Sequence, residues 1–379
     1  MESSGTLTDF SLVRGGPFQT LGRGLRGVEP GRSGLFALVL ALGCWGPLVL
    51  LAWMQGGSAP RLLVRDLQVH GELLLSLPVL VAAGPYIDRR LGAAARQFLR
   101  ASLVGERGRG ALEALARRCT RWCDSSCVEL LILGWVIAFA WLTSPDPSRP
   151  WQVSDSARPS LAGGWYLCVA QPLVRFLVLR WLWRGVVWAV FLLRVSRLPL
   201  RLSFTHPDQS GGLGFLAVCQ ASFAPVVFAV AVPVAAYSFR VNAGAITESP
   251  LDYVMPQVLY AVLACLAVFA PLACFFRPLV AAKRRGDPWY SAVAAHHSRE
   301  FEDRWFQQKP EGSPLGSPDF SSLADLGSSF MVARKMKLFP WDQRGLLAVG
   351  AAGLAPLVIL LMVDRQFIAV VNQLRQSMS

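Results

Sequence analysis

The sequence predicts an all-α, polytopic transmembrane helix bundle of about seven spans with cytoplasmic helical loops, and three observations support this fold class. Hydrophobic residues, among them 13 tryptophans, make up 53% of the 379-residue chain, which is too apolar for an ordinary soluble protein. The apolar residues come in blocks of about 20, the length at which a helix crosses a hydrocarbon core roughly 30 Å thick. Arginines and lysines cluster between these blocks, as is typical of loops kept on the cytoplasmic side.

The net charge of +13 does not indicate a nucleic-acid-binding protein, because the cations lie beside the apolar blocks. Cations in these positions favour anionic lipid headgroups. We therefore expect membrane lipids as partners and no nucleic acid, and we leave a homo-oligomer open. The eight cysteines lie mostly inside the apolar blocks and indicate no disulfide framework. No motif for a cofactor is present, so none is expected.

The first part of the chain predicts a tail followed by three spans. Residues 1–33 are rich in glycine and arginine without an apolar block, which predicts a flexible cytoplasmic tail and not a signal peptide. Residues 34–143 contain the first three spans. The basic loop 88–125 within them carries nine arginines and is the clearest cytoplasmic marker in the chain. We predict these spans at Leu35–Met54, Gly71–Ile87 and Ser126–Thr143.

The second part predicts four further spans and a polar segment. Residues 161–276 form a transmembrane core of three spans, interrupted by a break at residues 205–214. Residues 277–343 are polar and basic and predict a cytoplasmic helical segment, which precedes a last span at residues 344–365. Counting the cation-rich loops places the amino terminus in the cytoplasm and the carboxyl terminus outside.

The fourth span carries arginines below the membrane surface. Its apolar run, Ala162–Leu193, would be about 48 Å long as a helix, so at least one of Arg175, Arg180 and Arg184 lies inside the hydrocarbon. Such a burial costs about 2.5 to 3.5 kcal/mol unless the arginine finds a partner or water. Glu129 lies at a similar depth in the third span, so we predict that it pairs with Arg180 or Arg184. The arginines act either as topology anchors or in binding a substrate or ion.

The break contains an ionisable pair, His206 and Asp208, followed by Gly211, Gly212 and Gly214. These glycines are expected to leave backbone N–H groups open at a helix start, where a phosphate, a lipid headgroup or a carboxylate binds. In the alternative interpretation, Pro207 fixes a turn, Asp208 or Ser210 caps the helix, and the glycines allow close packing.

A metal site is a weaker hypothesis. Cys119, Cys123 and Cys127 recur every four residues and would form one stripe on a helix, a pattern that a soft metal ion uses. A fourth ligand is missing from the pattern, so we expect no metal. No Ser-His-Asp order, P-loop or zincin motif is present.

The sequence at the break also resembles that of a protein family. The Thr-His-Pro-Asp at residues 205–208, the Gly-Gly-Leu-Gly-Phe-Leu at residues 211–216 and the segment from Pro314 to Phe330 resemble a family of uncharacterised bacterial multi-pass membrane proteins. The resemblance implies a bacterial inner-membrane location and no particular activity. It singles out His206 and Asp208, together with Asp319 and Asp325, as site candidates on the cytoplasmic side. Alternatively, Asp319 and Asp325 only cap and solvate a surface helix.

Three functions are consistent with this sequence. The first is a transport or channel-like protein for a small solute or ion, because broken helices with buried ionisable groups are typical of such paths. The second is a membrane scaffold that binds anionic lipid or a protein partner. The third is a membrane enzyme acting on a lipid phosphate, with His206 and Asp208 at the interface. We favour a function without catalysis.

Overall fold

The computed structural model describes residues 10–12, 33–154, 158–242, 250–308 and 317–363. Within these residues, seven helices are long and apolar enough to cross a membrane, so the predicted all-α bundle is confirmed. Strand pairing in the described residues is limited to isolated bridges, one of which joins Val104 to Leu200.

The α-helices of the described residues alternate between long spans and shorter connecting segments. The spans are α1, α3, α5, α6, α7 with α8, α9, and α12. Helices α3 and α6 each contain one wider, π-helical turn, at Gly71–Ser76 and Tyr166–Ala170. In chain order, the helices are α1 (Ser33–Gln55), α2 (Ala59–Val64), α3 (Leu67–Arg100), α4 (Glu106–Cys123), α5 (Ser126–Leu142), α6 (Leu161–Val195), α7 (Phe215–Ala221), α8 (Ala224–Asn242), α9 (Pro250–Phe269), α10 (Phe276–Glu302), α11 (Pro318–Arg334) and α12 (Gln343–Val363).

The helices pack in groups that share neighbours. Helix α8 packs against α9 and α12, helix α1 packs against α3, and helix α6 packs against α4 and α5. Contacts between α3 and α8 join these groups. The two ends of the bundle are named by the helices that terminate there. The arginine-rich end is the one at which α3 and α6 terminate, and the opposite end is the one at which α1 and α5 terminate.

At the opposite end, a loop fixes the start of α6. The Ser160 hydroxyl accepts a hydrogen bond from the Gly163 N–H at 2.9 Å and donates one to the Trp151 carbonyl at 2.7 Å. Gly163 lies directly against the backbone of Gln152, where a side chain would collide. Ser160 is therefore the N-cap of α6, and the glycine lets the loop pack against the helix start.

The expectation of a flexible tail is wrong for three residues at its centre. Phe10, Ser11 and Leu12 are buried, and the Ser11 hydroxyl donates a hydrogen bond to the Asp88 carboxylate at 2.7 Å. The Phe10 ring lies 5.2 Å from that of Phe191 on α6. This short segment therefore packs against the arginine-rich end; the rest of residues 1–32 lies outside the described residues.

The polar segment is helical, as predicted, and its first helix joins the preceding span. A 3₁₀ turn at Ala270–Phe275 leads α9 into α10, so the helical course continues from the membrane to Glu302. Helix α11 returns along α10, and the rings of Tyr290 and Phe330 stack with centroids 5.7 Å apart. Residues 309–316, between these helices, lie outside the described residues.

Candidate functional site

The predicted ion pair between the third and fourth spans is present. The Arg180 Nε atom lies 2.6 Å from Glu129 Oε1, and both side chains are buried. The pair forms because α5 and α6 pack side by side, which brings Glu129 to the depth of Arg180. A carboxylate at contact distance offsets the cost of holding a guanidinium in hydrocarbon.

Arg184 lies one helical turn beyond Arg180 and is also buried. Its guanidinium lies over the Trp181 ring, 5.2 Å from the centroid. It lies within electrostatic range of Glu129 and Asp88. Asp88 also binds the packed tail segment, so the arginine-rich half of α6 is surrounded by fixed polar partners.

Arg175 occupies the other half of α6 and has different surroundings. Its guanidinium lies 4.7 Å from the centroid of the Phe139 ring on α5. It interacts electrostatically with Tyr166 and Glu72. Its buried Nη1 atom has no hydrogen-bond partner among the described residues. A buried N–H group in this situation is a position where water or an anion binds.

Glu72 is a buried acid that the sequence interpretation left out of the candidate site. Its carboxylate accepts hydrogen bonds from the Tyr166 hydroxyl at 2.6 Å and from Gln68 Nε2 at 2.9 Å. Glu72 lies in the π-helical turn of α3, and Tyr166 begins the π-helical turn of α6. An acid within an apolar span was the available signal, because such residues are costly unless they have a function.

A cluster of charged side chains lies at the opposite end, with Arg149 and Asp66 buried and Asp146 and Arg240 partly exposed. Asp146 accepts a hydrogen bond from Arg240 Nη1 at 2.8 Å, and Arg149 Nε lies 3.4 Å from Asp66 Oδ2. Burial alone would raise the pKa of Asp146, but hydrogen bonds from Ser148 and Arg240 lower it to about 2. The guanidinium of Arg149 also lies 5.6 Å from the Tyr166 ring centroid.

The ionisable groups along α6 therefore form a column, which we define as Glu72, Tyr166, Arg175, Glu129, Arg180, Arg184 and Asp88. Its members lie on α3, α5 and α6, with Glu72, Tyr166 and Arg175 towards the opposite end and Glu129, Arg180, Arg184 and Asp88 towards the arginine-rich end. Two cavities, of about 520 and 410 Å³, are not lined by Arg175 or Arg180. The column is thus a row of side chains with positions for individual water molecules.

The amide groups expected to bind an anion are already used by the protein. The Asp208 carboxylate accepts hydrogen bonds from the backbone N–H groups of Ser210, Gly212 and Gly214, at 2.8, 3.1 and 2.8 Å. The expectation that these groups are open is therefore wrong, because the side chain folds back into the loop. The alternative interpretation, a turn capped by Asp208, describes the geometry.

The glycines of the break serve the backbone shape of this loop. Gly211 and Gly212 have φ values of +65° and +95°, a conformation that side chains disfavour. A Cβ atom on Gly214 would lie 3.0 Å from Asp208 Oδ2. His206 Nδ1 lies 2.8 Å from Asp208 Oδ1, so the pair predicted from the sequence is formed.

The four residues singled out by the resemblance do not form one cluster. Asp319 binds Arg304 Nη1 at 3.1 Å and accepts a hydrogen bond from Trp305 Nε1 at 3.1 Å, which ties the start of α11 to the end of α10. Asp325 is exposed on α11. Among the described residues, no hydrogen bond or ion pair joins either aspartate to His206 or Asp208. The arrangement expected for a lipid-phosphate enzyme is not assembled.

The cysteine stripe is divided between two environments. Cys119 and Cys123 are buried on α4, whereas Cys127 is exposed at the start of α5. In the part of the chain that is described, no group of three His, Cys, Asp or Glu side chains is placed to hold a metal ion.

No protein-family model, curated protein or solved structure is significantly similar to this chain. The resemblance to a bacterial membrane-protein family therefore stays a prediction. This chain is an integral membrane protein with seven candidate spans, and its activity has to be inferred from its own geometry.

Proposed function

We propose that the protein is transport-like and transfers protons across the membrane along the α6 column. The observation that carries the proposal is the succession of ionisable groups, buried or partly buried, along α6 and its neighbours, from Glu72 and Tyr166 to Arg184 and Asp88. Ionisable residues are rare inside membrane spans and are typical of ion and proton pathways.

Protons suit this column better than a larger solute does. A solute needs a polar cavity, and the cavities of about 520 and 410 Å³ that the described residues enclose lie away from Arg175 and Arg180. A proton needs only carboxyl groups and single water molecules joined by hydrogen bonds, and the arginines of the column stay charged. Buried atoms without a hydrogen-bond partner among the described residues, which include Gln68 Oε1, Gln171 Oε1 and Arg175 Nη1, supply positions for that water. We assign the proton-transfer role to the carboxyl group of Glu72, and the role of holding the helices together to the Glu129–Arg180 ion pair.

Proton flux into liposomes tests the proposal. The purified protein is reconstituted with a pH-sensitive dye inside, a potassium gradient is applied, and valinomycin sets the membrane potential. We expect uptake above that of empty liposomes. The Glu72→Gln variant, which keeps the shape but cannot ionise, should lower the flux by about tenfold or more.

The matched control is Glu113→Gln. Glu113 forms an ion pair with Arg109 at 3.1 Å on α4, outside the column, so its loss should leave the flux unchanged. Wild-type uptake equal to that of empty liposomes would refute the proposal. Equal loss in the Glu72 and Glu113 variants would show that the column is not the path.

A second candidate function is a scaffold that binds anionic lipid, and the arginines of α4 favour it. Arg117, Arg118 and Arg121 are exposed on this helix, and Arg118 and Arg194 each lie 5.3 Å from the Trp122 ring centroid. Juxtamembrane cations attract anionic lipid by about 1 kcal/mol each. Native mass spectrometry in mixed lipids distinguishes this function, because reversing Arg117 and Arg121 to Glu should lower anionic-lipid binding while proton flux stays unchanged.

The orientation belongs to the same proposal. The positive-inside rule supports a cytoplasmic arginine-rich end, and the family resemblance supports a bacterial inner membrane. A reporter enzyme that is active only outside the cytoplasm, inserted between Asp146 and Pro147, should be active. The same reporter inserted after Gly105 should be silent.

A further inference from the structure

A cavity of about 520 Å³ lies between α6, α8 and α9, apart from the ionisable column. Its walls are almost entirely apolar, with aliphatic and aromatic side chains. An apolar cavity of about 150 Å³ holds a benzene ring, and binding pockets for small molecules begin at about 300 Å³, so this one accommodates a larger molecule. Residues that line it include Val178, Leu182, Val186, Val226, Val230 and Leu263.

The cavity faces the bilayer. Leu182 and Leu263, which lie on two of its walls, are 62% and 54% exposed on the surface of the bundle. Both residues belong to membrane-spanning helices, so the molecules that reach the cavity are those dissolved in the hydrocarbon.

One polar group in the wall has a free donor. Gln220 is 1% exposed, and its Oε1 atom accepts a hydrogen bond from Trp188 Nε1 at 3.2 Å. Its Nε2 atom is buried and has no hydrogen-bond partner among the described residues. The Tyr260 hydroxyl, also in the wall, already donates to the Val227 carbonyl at 2.8 Å. A buried N–H donor without an acceptor is destabilising, so an occupant that supplies an oxygen atom is favoured.

We infer that the cavity binds one acyl chain of a phospholipid from the leaflet at the arginine-rich end, with an ester carbonyl oxygen on Gln220 Nε2. Gln220 lies five residues after the start of α7, about 7.5 Å along the helix axis. This depth is where the interfacial layer, roughly 5 to 7 Å thick on each side, meets the hydrocarbon. The ester groups of a phospholipid lie between its headgroup and its chains, and the cations at this end favour an anionic headgroup. The inference does not depend on the proton path.

Photolabelling in nanodiscs tests the site. The probe is phosphatidylglycerol with a diazirine in the middle of one acyl chain, diluted in phosphatidylcholine, and labelled peptides are mapped by mass spectrometry. We expect labelling concentrated on the α6 and α8 peptides that line the cavity, and competition by unlabelled phosphatidylglycerol. Uniform labelling of all lipid-facing helices, absence of competition, or competition by free fatty acid alone would overturn the inference.

Two variants and a control locate the binding. Val226→Trp fills the cavity and should reduce this labelling by about tenfold, and Gln220→Leu, which removes the donor, should reduce it less. Leu131→Trp adds the same bulk on α5, where Leu131 is 72% exposed to lipid, and should leave the labelling unchanged. Equal labelling of all three variants would also overturn the inference. The competition on the wild-type protein decides the matter if a variant does not fold.

Discussion

Helix α6 carries buried charge in both halves, and each half satisfies that charge differently. Near the arginine-rich end, Arg180 meets the carboxylate of Glu129 directly at 2.6 Å. In the other half, Glu72 is held by neutral donors, and Arg175 Nη1 has no partner among the described residues. A direct ion pair fixes helix packing, whereas a polar cluster with open positions takes up water. We therefore expect stability to depend mainly on the first half and proton transfer on the second.

The largest expected effect comes from breaking the ion pair. Glu129→Ala leaves Arg180 buried without its carboxylate, which should lower the free energy of unfolding by about 3 to 5 kcal/mol. Thermal and denaturant unfolding in detergent micelles measures the loss. Leu131→Ala, on the lipid-facing side of the same helix, is the control and should change little.

The charge-swapped double variant, Glu129→Arg with Arg180→Glu, sharpens this result. If the two residues are held by each other, the swap should recover part of the lost stability. A double variant as unstable as the sum of the single variants would contradict the pairing as the reason for their burial.

Asp208 shows whether a buried carboxylate needs a cation at all, because its main partners are backbone N–H groups. Asp208→Ala leaves three such donors without an acceptor and should cost about 2 kcal/mol. His206→Ala removes only one neighbour of Asp208, and the His206 side chain is 44% exposed, so this change should cost less. A cost for His206→Ala as large as that for Asp208→Ala would contradict this account of the loop.

The pH dependence of Asp208 has a definite sign. Burial alone would raise its pKa, but hydrogen bonds from Ser210, Gly214 and Gly212 outweigh burial and lower the pKa below its usual 3.8. Because the folded state has the lower pKa, the stabilisation is present above pH 3.8 and is lost as the pH falls through the folded value. Asp208→Ala should therefore differ most from the wild type above pH 4 and converge with it in strong acid.

The Glu129–Arg180 pair was predictable from sequence because depth in a membrane follows from residue counts along two adjacent spans. The contact between Glu72 and Tyr166 was not predictable in the same way. It depends on how α3 and α6 are rotated about their axes, and two π-helical turns alter that rotation locally. Periodicity in the sequence does not report such a change.

For the break at residues 205–214, the sequence allowed either open amide groups or a capped turn, and it could not decide between them. Whether an Asp side chain caps its own loop or leaves the N–H groups open depends on two glycines with positive φ, which is a property of the folded backbone. The cavity beside Gln220 was also hidden, because a gap between helices reflects imperfect packing and has no motif of its own. The number of spans, in contrast, could be predicted from the apolar runs of the sequence alone.

The Glu72→Gln variant distinguishes the two roles proposed for the halves of α6, stability and proton transfer. The amide keeps an oxygen for the Tyr166 hydroxyl, so the free energy of unfolding should fall by only about 1 kcal/mol. Proton flux should fall far more, because the amide does not titrate. Measuring unfolding and flux on the same preparation checks both. A loss of stability as large as that of Glu129→Ala would remove the difference between the two halves.

Substitution of Asp146 should have the smallest effect on stability. Asp146 forms an ion pair with an arginine, as Glu129 does, but this pair is in contact with water. The Asp146 side chain is 39% exposed and lies 2.8 Å from Arg240 Nη1, so solvent screens the attraction. Asp146→Asn should cost less than about 1 kcal/mol, and added salt should reduce that cost further.

The folded pKa of Asp146, about 2, lies below the usual 3.8, so the contribution is present above pH 3.8 and disappears as the pH falls towards 2. Unfolding of wild type and variant should therefore differ slightly at pH 5 and coincide near pH 2. A cost comparable to that of Glu129→Ala, insensitive to salt, would show that depth in the membrane does not set the strength of these pairs.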